Sequence, residues 1–224
     1  MIQCQKPDLI FLQEVTVSSE TLAEFVRKYG YTAVSNIDIR DDKTLGTAVV
    51  WRLGVPVQTV NEIELCRIQE VIVGTQPFLN IYAPAGKNYQ GGRRQFFGQN
   101  VFRAIGNRNN VILAGDFNCI LKEIDTEGNF QDKKCLVLMD LVNTYNLSDV
   151  FRQMHPLSRE YTWHRPNCFA SRLDRIYFPQ ELVPGIQTIS HLVSLSDHHS
   201  VKCEFLLNVA SSQLPPKRPA PYWK

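Results

Sequence analysis

The 224-residue sequence has no apolar run approaching the about eighteen residues that a membrane-crossing helix needs. Its opening, Met1-Ile2-Gln3-Cys4-Gln5-Lys6, lacks the apolar stretch of a secretory leader. Both absences predict an intracellular chain that stays off the membrane. No Cys-x-x-Cys pair and no Cys/His cluster at zinc spacing occurs: Cys4, Cys66, Cys119, Cys135, Cys168 and Cys203 are scattered. That excludes the common zinc modules and predicts free thiols in a reducing compartment. An excess of charge of one sign is lacking too. The net charge of +2 argues neither for nor against a polyanionic partner, because a local patch matters more than the sum. No segment repeats along the chain.

What is present is enough apolar material, 44% of residues, to bury one sizeable core. Runs rich in β-branched and aromatic residues, bounded by turn residues, predict strands at 47–51, 70–73, 78–82, 110–114, 173–178 and 201–206. Three helices are predicted between them. The first carries Leu22, Phe25, Val26 and Tyr29 on one face, with Ser18 or Ser19 as N-cap and Gly30 as stop; the others span about 92–106 and 133–146. Strands outnumber helices and do not alternate with them one for one, so the expected class is α+β, a two-layer β-sandwich flanked by helices. Residues 1–208 are expected to form this domain. The proline-rich 209–224 reads as a linker leaving it.

Four polar segments sit where predicted strands end, the places where a rigid sheet presents side chains to a ligand. Each alone has an ordinary explanation. Phe11-Leu12-Gln13-Glu14 is a strand meeting solvent. Gly115-Asp116-Phe117-Asn118 contains a turn-forming Asp, although the Asp-x-Asn pair, with Gly115 permitting close backbone approach, goes beyond one turn. In Ser171-Arg172-Leu173-Asp174, alternation predicts that Arg172 and Asp174 share a side, as a cross-strand ion pair would. Ser196-Asp197-His198-His199 is a loop with adjacent histidines. Together they supply oxygen ligands for a hard cation, a base for water and donors for charge building on a phosphate, which is what phosphodiester hydrolysis requires. Asp174 is the candidate brace for His198.

Taken in order, Leu12-Gln13-Glu14, Asn80-Ile81-Tyr82-Ala83-Pro84, Gly115-Asp116-Phe117-Asn118, Ser171-Arg172-Leu173-Asp174 and Ser196-Asp197-His198 resemble the endonuclease/exonuclease/phosphatase superfamily from about residue 7 to 207. The resemblance implies a DNase I-like fold and a magnesium site, with manganese as a possible substitute. Glu14 would be the principal metal ligand, Asp116 would orient or deprotonate water, and Asn118 would hold that water or the phosphate. Tyr82 would contact the scissile phosphate or leaving group. Asp197 would assist the metal or the leaving group, and His198, oriented by Asp174, would hydrogen-bond the phosphate. Asp149-Val150-Phe151-Arg152-Gln153-Met154-His155-Pro156, Tyr161-Thr162-Trp163-His164-Arg165 and the tail Pro219-Ala220-Pro221-Tyr222-Trp223-Lys224 are similar to the endonuclease domains of non-long-terminal-repeat retrotransposons. This implies a monomeric domain nicking chromosomal DNA in the nucleus to leave a 3′-hydroxyl, with a reverse transcriptase downstream.

That family opens with a strand ending in an asparagine, then a helix, before the glutamate strand. Glu14 stands too early for either, so the expectation is a fold without the first strand and most of the first helix, leaving its neighbour's edge unpaired. Arg93, Arg94, Arg165, Arg172 and Arg175 are candidates for phosphate contacts. Three other readings stay open at this point: an apurinic/apyrimidinic repair endonuclease, a phosphatase of inositol phosphates or lipids, and a catalytically impaired remnant.

Overall fold

The computed structural model describes residues 5–38, 45–86, 90–165, 169–194 and 196–207. The expected linker at 209–224, Cys4 and Cys168 lie outside the described residues. Two layers of strands, antiparallel but for one pair, form the middle of the molecule. One has β1 (Leu9–Val15), β3 (Gly46–Arg52) and β2 (Tyr31–Asn36) in the order β1-β3-β2, together with a hairpin of β12 (Ile186–Leu192) and β13 (Ser200–Phe205). The other is six-stranded, in the order β4-β5-β6-β7-β11-β8. Its strands are Val57–Glu64, Ile68–Val73, Gln76–Tyr82, Ile112–Asp116, Asp174–Pro179 and Leu147–Asp149, and only β6 and β7 run parallel. A short ladder joins β9 (Trp163–His164) to β10 (Ala170–Ser171). Among the named strands, β1 pairs with β3 on one side and with none on the other.

The two-residue period of the strands sorts the side chains into two cores. Phe78, Ile112 and Phe178 of the six-stranded sheet meet Val49, Ile189, Leu9, Phe11, Trp51, Val201 and Phe205 of the other layer. The opposite face of the same strands, with Leu79, Ile81, Leu113 and Tyr177, packs on helical segments through Phe96, Phe97, Val101, Leu138 and Leu141. Helix α1 (Ser19–Arg27) covers the outside of the smaller sheet. Helices therefore lie outside both layers, as a half-buried sandwich requires, and the α+β class holds.

Several expectations need correction. The Ser18 side chain caps α1 and Gly30 ends it at φ +82°. Val26 is its buried residue, whereas Phe25 is 57% exposed, its ring against Tyr29 and Lys28. The single helix expected at 92–106 is α2 (Gln90–Gln95), a π-helical turn (Phe96–Val101) and α3 (Phe102–Ile105). The consecutive Phe96 and Phe97 are both buried, and the wider turn lets both reach the core. The helix expected at 133–146 becomes α4 (Phe130–Lys133) and α5 (Leu136–Thr144), because Lys134 bridges to Ile120 between them. A short α6 (Val150–Met154), capped by the Asp149 side chain, was not foreseen.

Candidate active site

Three strand ends build the floor of the site. Tyr82 on β6 pairs with Asp116 on β7, and Asp116 pairs with Asp174 on β11, so the three side chains stand in one row across adjacent strands. Ile112, Ala114 and Asp116 share a face, which is the face turned toward the smaller sheet. Close approach of β6 makes the row possible. Gly115 has φ +139°, and a Cβ there would lie 2.0 Å from the Ile81 carbonyl oxygen, so glycine is required at this position.

Glu14 arrives from the other layer. The β1–β3 register shifts between Gln13 and Val15, and Glu14 adopts φ +60°, which re-aims a side chain that simple alternation would turn away. Its carboxylate accepts a hydrogen bond from the Tyr82 hydroxyl at 3.3 Å. Asn80, fully buried on β6, holds this end of β1. Its Nδ2 donates to the Leu12 and Ala48 carbonyls at 3.1 and 3.0 Å, and its Oδ1 accepts from Gln13 Nε2 at 2.7 Å.

Asp116 is 3% exposed, and Asp116, Asp174 and His198 each offer a ligand atom within 4.8 Å of the others'. Asn118, itself at φ +49°, serves Asp116: its backbone N–H donates to Oδ1 at 2.9 Å and its Nδ2 to Oδ2 at 2.7 Å. The same Nδ2 donates to the Ala83 carbonyl at 2.9 Å, leaving the Asn118 Oδ1 as the atom for a ligand. Burial, and then the negative charge of Asp174, push the Asp116 carboxyl well above the usual carboxylate range. His198 donates from Nδ1 to Asp174 Oδ2 at 2.8 Å. Burial works against its charged form, but the hydrogen bond to Asp174 and the charges of Asp174, Asp116 and Asp197 raise it to about 9. At neutral pH the imidazole is therefore cationic, with Nε2–H free of its brace. For Tyr82, burial and then Glu14 raise the phenol to about 12, so it remains a hydrogen-bond donor.

The donor chemistry fits a hard divalent cation. Oxygens of Asp116 and Asp174 converge beside His198, with Glu14 reaching the same row through the Tyr82 hydroxyl, and two carboxylates held this close favour either a proton or a metal ion between them. Asp197 stands apart from the Asp116–Asp174–His198 group. It is exposed, and its carboxylate accepts from Trp163 Nε1 at 3.2 Å and Ser196 Oγ at 3.1 Å.

The basic candidates divide. Arg94 and Arg165 are exposed. Arg93 is 5% exposed and donates to the Pro84 and Gly86 carbonyls at 3.1 and 2.8 Å, tying down the loop after Tyr82 rather than facing a ligand. Arg172 is fully buried. It donates to Asp125 at 2.9 Å and in a bidentate fork to Asp149, and Arg152 reaches the same Asp125 at 2.5 Å. Arg175, also buried, donates to the Cys119 and Arg172 carbonyls. Arg172 takes Asp125 and Asp149 as its partners and Asp174 takes His198, so the ordinary reading of an Arg172–Asp174 ion pair gives way to two separate sets of bonds. Two functional candidates escaped the sequence reading: Arg67, whose guanidinium lies 4.6 Å from the Tyr82 ring centroid, and Thr162 behind Asp174.

Residues 3–198 match the model of the Endonuclease/Exonuclease/phosphatase family. The "Transposon TX1 uncharacterized 149 kDa protein" of Xenopus laevis is 30% identical over 157 residues, covering 66% of this chain and 11% of that protein. The chain thus spans a small part of that relative. Among solved structures, a 3′ phosphatase from Neisseria bound to product DNA hairpin has a TM-score of 0.74 at 19% identity over 92% of this chain and 91% of that one. An AP endonuclease from Archaeoglobus fulgidus has a TM-score of 0.75 at 17% identity, again over 92% and 91%.

Proposed function

Because this chain belongs to the endonuclease/exonuclease/phosphatase family, and so is a metal-dependent phosphodiesterase, we propose that it nicks DNA in a magnesium-dependent reaction that leaves a 3′-hydroxyl. The observation that carries the reading is the row Tyr82–Asp116–Asp174 with His198 braced on Asp174. Asp116, its proton affinity raised by burial, accepts the proton of the attacking water. Cationic His198 donates from Nε2 to a phosphate oxygen as charge builds on it, and the Tyr82 hydroxyl donates beside Glu14. Glu14 would hold magnesium, with manganese as substitute; bound there, the ion would supply the positive charge that polarises the phosphate. Arg94 and Arg165 contribute nonspecific phosphate contacts. The likeness to a transposon protein supports a retrotransposon setting, with nuclear DNA as substrate and a reverse transcriptase encoded downstream.

The test is nicking of supercoiled plasmid with and without magnesium, followed by polymerase extension from the nick to detect the 3′-hydroxyl. Asp116→Ala and His198→Ala are each expected to cut about 10²- to 10⁴-fold more slowly than wild type. Equal cutting by all three proteins refutes the site. Cleavage confined to an abasic-site duplex would move the substrate to damaged DNA, and hydrolysis of soluble phosphoesters with none of DNA would overturn the nuclease reading.

A further inference from the structure

The segment Tyr161–His164 touches both halves of the catalytic pair without contributing a group to the chemistry assigned above. Thr162 is fully buried. Its Oγ1 accepts two backbone hydrogen bonds at once, from Leu173 N–H at 2.9 Å and Asp174 N–H at 3.0 Å. Its carbonyl oxygen accepts from His199 N–H at 2.6 Å, and its own N–H donates to the Ser171 carbonyl at 3.1 Å. Asp174 enters on β11 and His198 on the loop before β13, so two segments 24 residues apart are pinned to one threonine. The next two residues extend the same clamp. Trp163 bridges to His198 and donates from Nε1 to Asp197, and His164 N–H donates to the Asp197 carbonyl at 2.9 Å.

A hydroxyl oxygen has two acceptor lone pairs, and here both face the two amides that open β11. Valine has the same shape without the acceptor, so it would leave two buried N–H groups unsatisfied where the chain turns toward the site. Serine keeps the oxygen. We propose that Thr162 is a positioning residue for the phosphodiester cleavage read above, setting the Asp174 carboxylate at the distance and angle at which it holds His198.

The proposal rests on that reading, and the experiment separates the two. Thr162→Val, Thr162→Ser and, as a control, Thr126→Val are compared. Thr126 is another buried threonine, whose hydroxyl bonds Ser171 Oγ at 2.8 Å in place of the amides that open β11. Thr162→Val is expected to lower kcat for plasmid nicking roughly 10- to 100-fold with little change in KM, as loss of a group orienting a catalytic side chain does. Thr162→Ser should restore most of it, and Thr126→Val should retain kcat even if its melting temperature falls equally. In an Asp174→Asn background the Thr162→Val effect should largely vanish, since the two act through one carboxylate. Independently of any activity, the proton resonance of His198 Nδ1–H, sheltered by its bond to Asp174, should be lost in Thr162→Val and kept in Thr162→Ser and Thr126→Val. A wild type that cuts no phosphodiester overturns the functional reading alone. A Thr162→Val protein that keeps that resonance, or whose kcat falls only as far as the Thr126→Val control, overturns this one.

Discussion

Arg172 and Arg94 carry the same guanidinium and have opposite surroundings. Arg172 shares Asp125 with Arg152 and grips Asp149, within a buried ion cluster in which Arg172 and Arg175 hold the Asp125 carboxyl at about 2 in spite of its burial. Removing one partner of such a cluster strands the others without solvent, so Arg172→Leu should destabilise the fold by about 3–5 kcal/mol in urea unfolding. Arg94→Ala should leave stability unchanged and reduce the salt dependence of DNA binding by a slope of about 1. A swap of these two outcomes would mean that the burial is misassigned. Composition and position in the sequence made the arginines look alike, because nothing local reports which side of a strand end faces water. The acidic and imidazole groups were easier to read. Glu14, Asp116, Asp174 and His198 each follow or precede an apolar run, and their chemical complementarity singled them out.

Among the elements, β1 and β6 show how a sequence signal can be noticed while its purpose stays hidden. Asn80 was visible as part of a motif, but its bonds to Leu12, Ala48 and Gln13 exist only once the two layers have met. Asn80→Leu should therefore raise the magnesium concentration for half-maximal nicking, by roughly 10-fold, because Glu14 loses the anchor two residues before it. A titration with an unchanged midpoint would assign Asn80 to stability alone. Of the strands predicted from apolar runs, β6 is buried along its whole length, whereas β13 is only half-buried and was legible from its apolar residues alone. Strand β4 escaped because it is an edge, largely exposed, with two register shifts that erase the alternating pattern. β12 escaped for a similar reason, following a 3₁₀ turn containing Pro184 and burying only Ile189.

For the whole molecule, His191 sets a limit on acid tolerance. It stacks on Phe151 with centroids 4.0 Å apart, and neither ring nitrogen has a hydrogen-bond partner. Burial, and then the positive charge of Arg172, lower it to about 4, below its value of roughly 6.5 in the unfolded chain. A group lowered in this way costs no stability above the unfolded value. As pH falls through that value the unfolded state takes up the proton first, and the loss is complete below about 4. Wild type should lose roughly 2 kcal/mol more than His191→Phe between pH 7 and pH 5, measured by urea unfolding at both pH values. Parallel losses in the two proteins would show that other groups carry the acid response.

The row on β6, β7 and β11 joins strands far apart in the chain, and β6 and β7 run side by side only after the excursion through 83–111 has closed. Parallel pairing of this kind is among the later and slower contacts a chain makes. His198, which completes the group, stands still further along. A polypeptide leaving the ribosome thus carries Glu14, Asp116 and Asp174 without their partner until residue 198 has been made, and this domain has no complete cutting site before then.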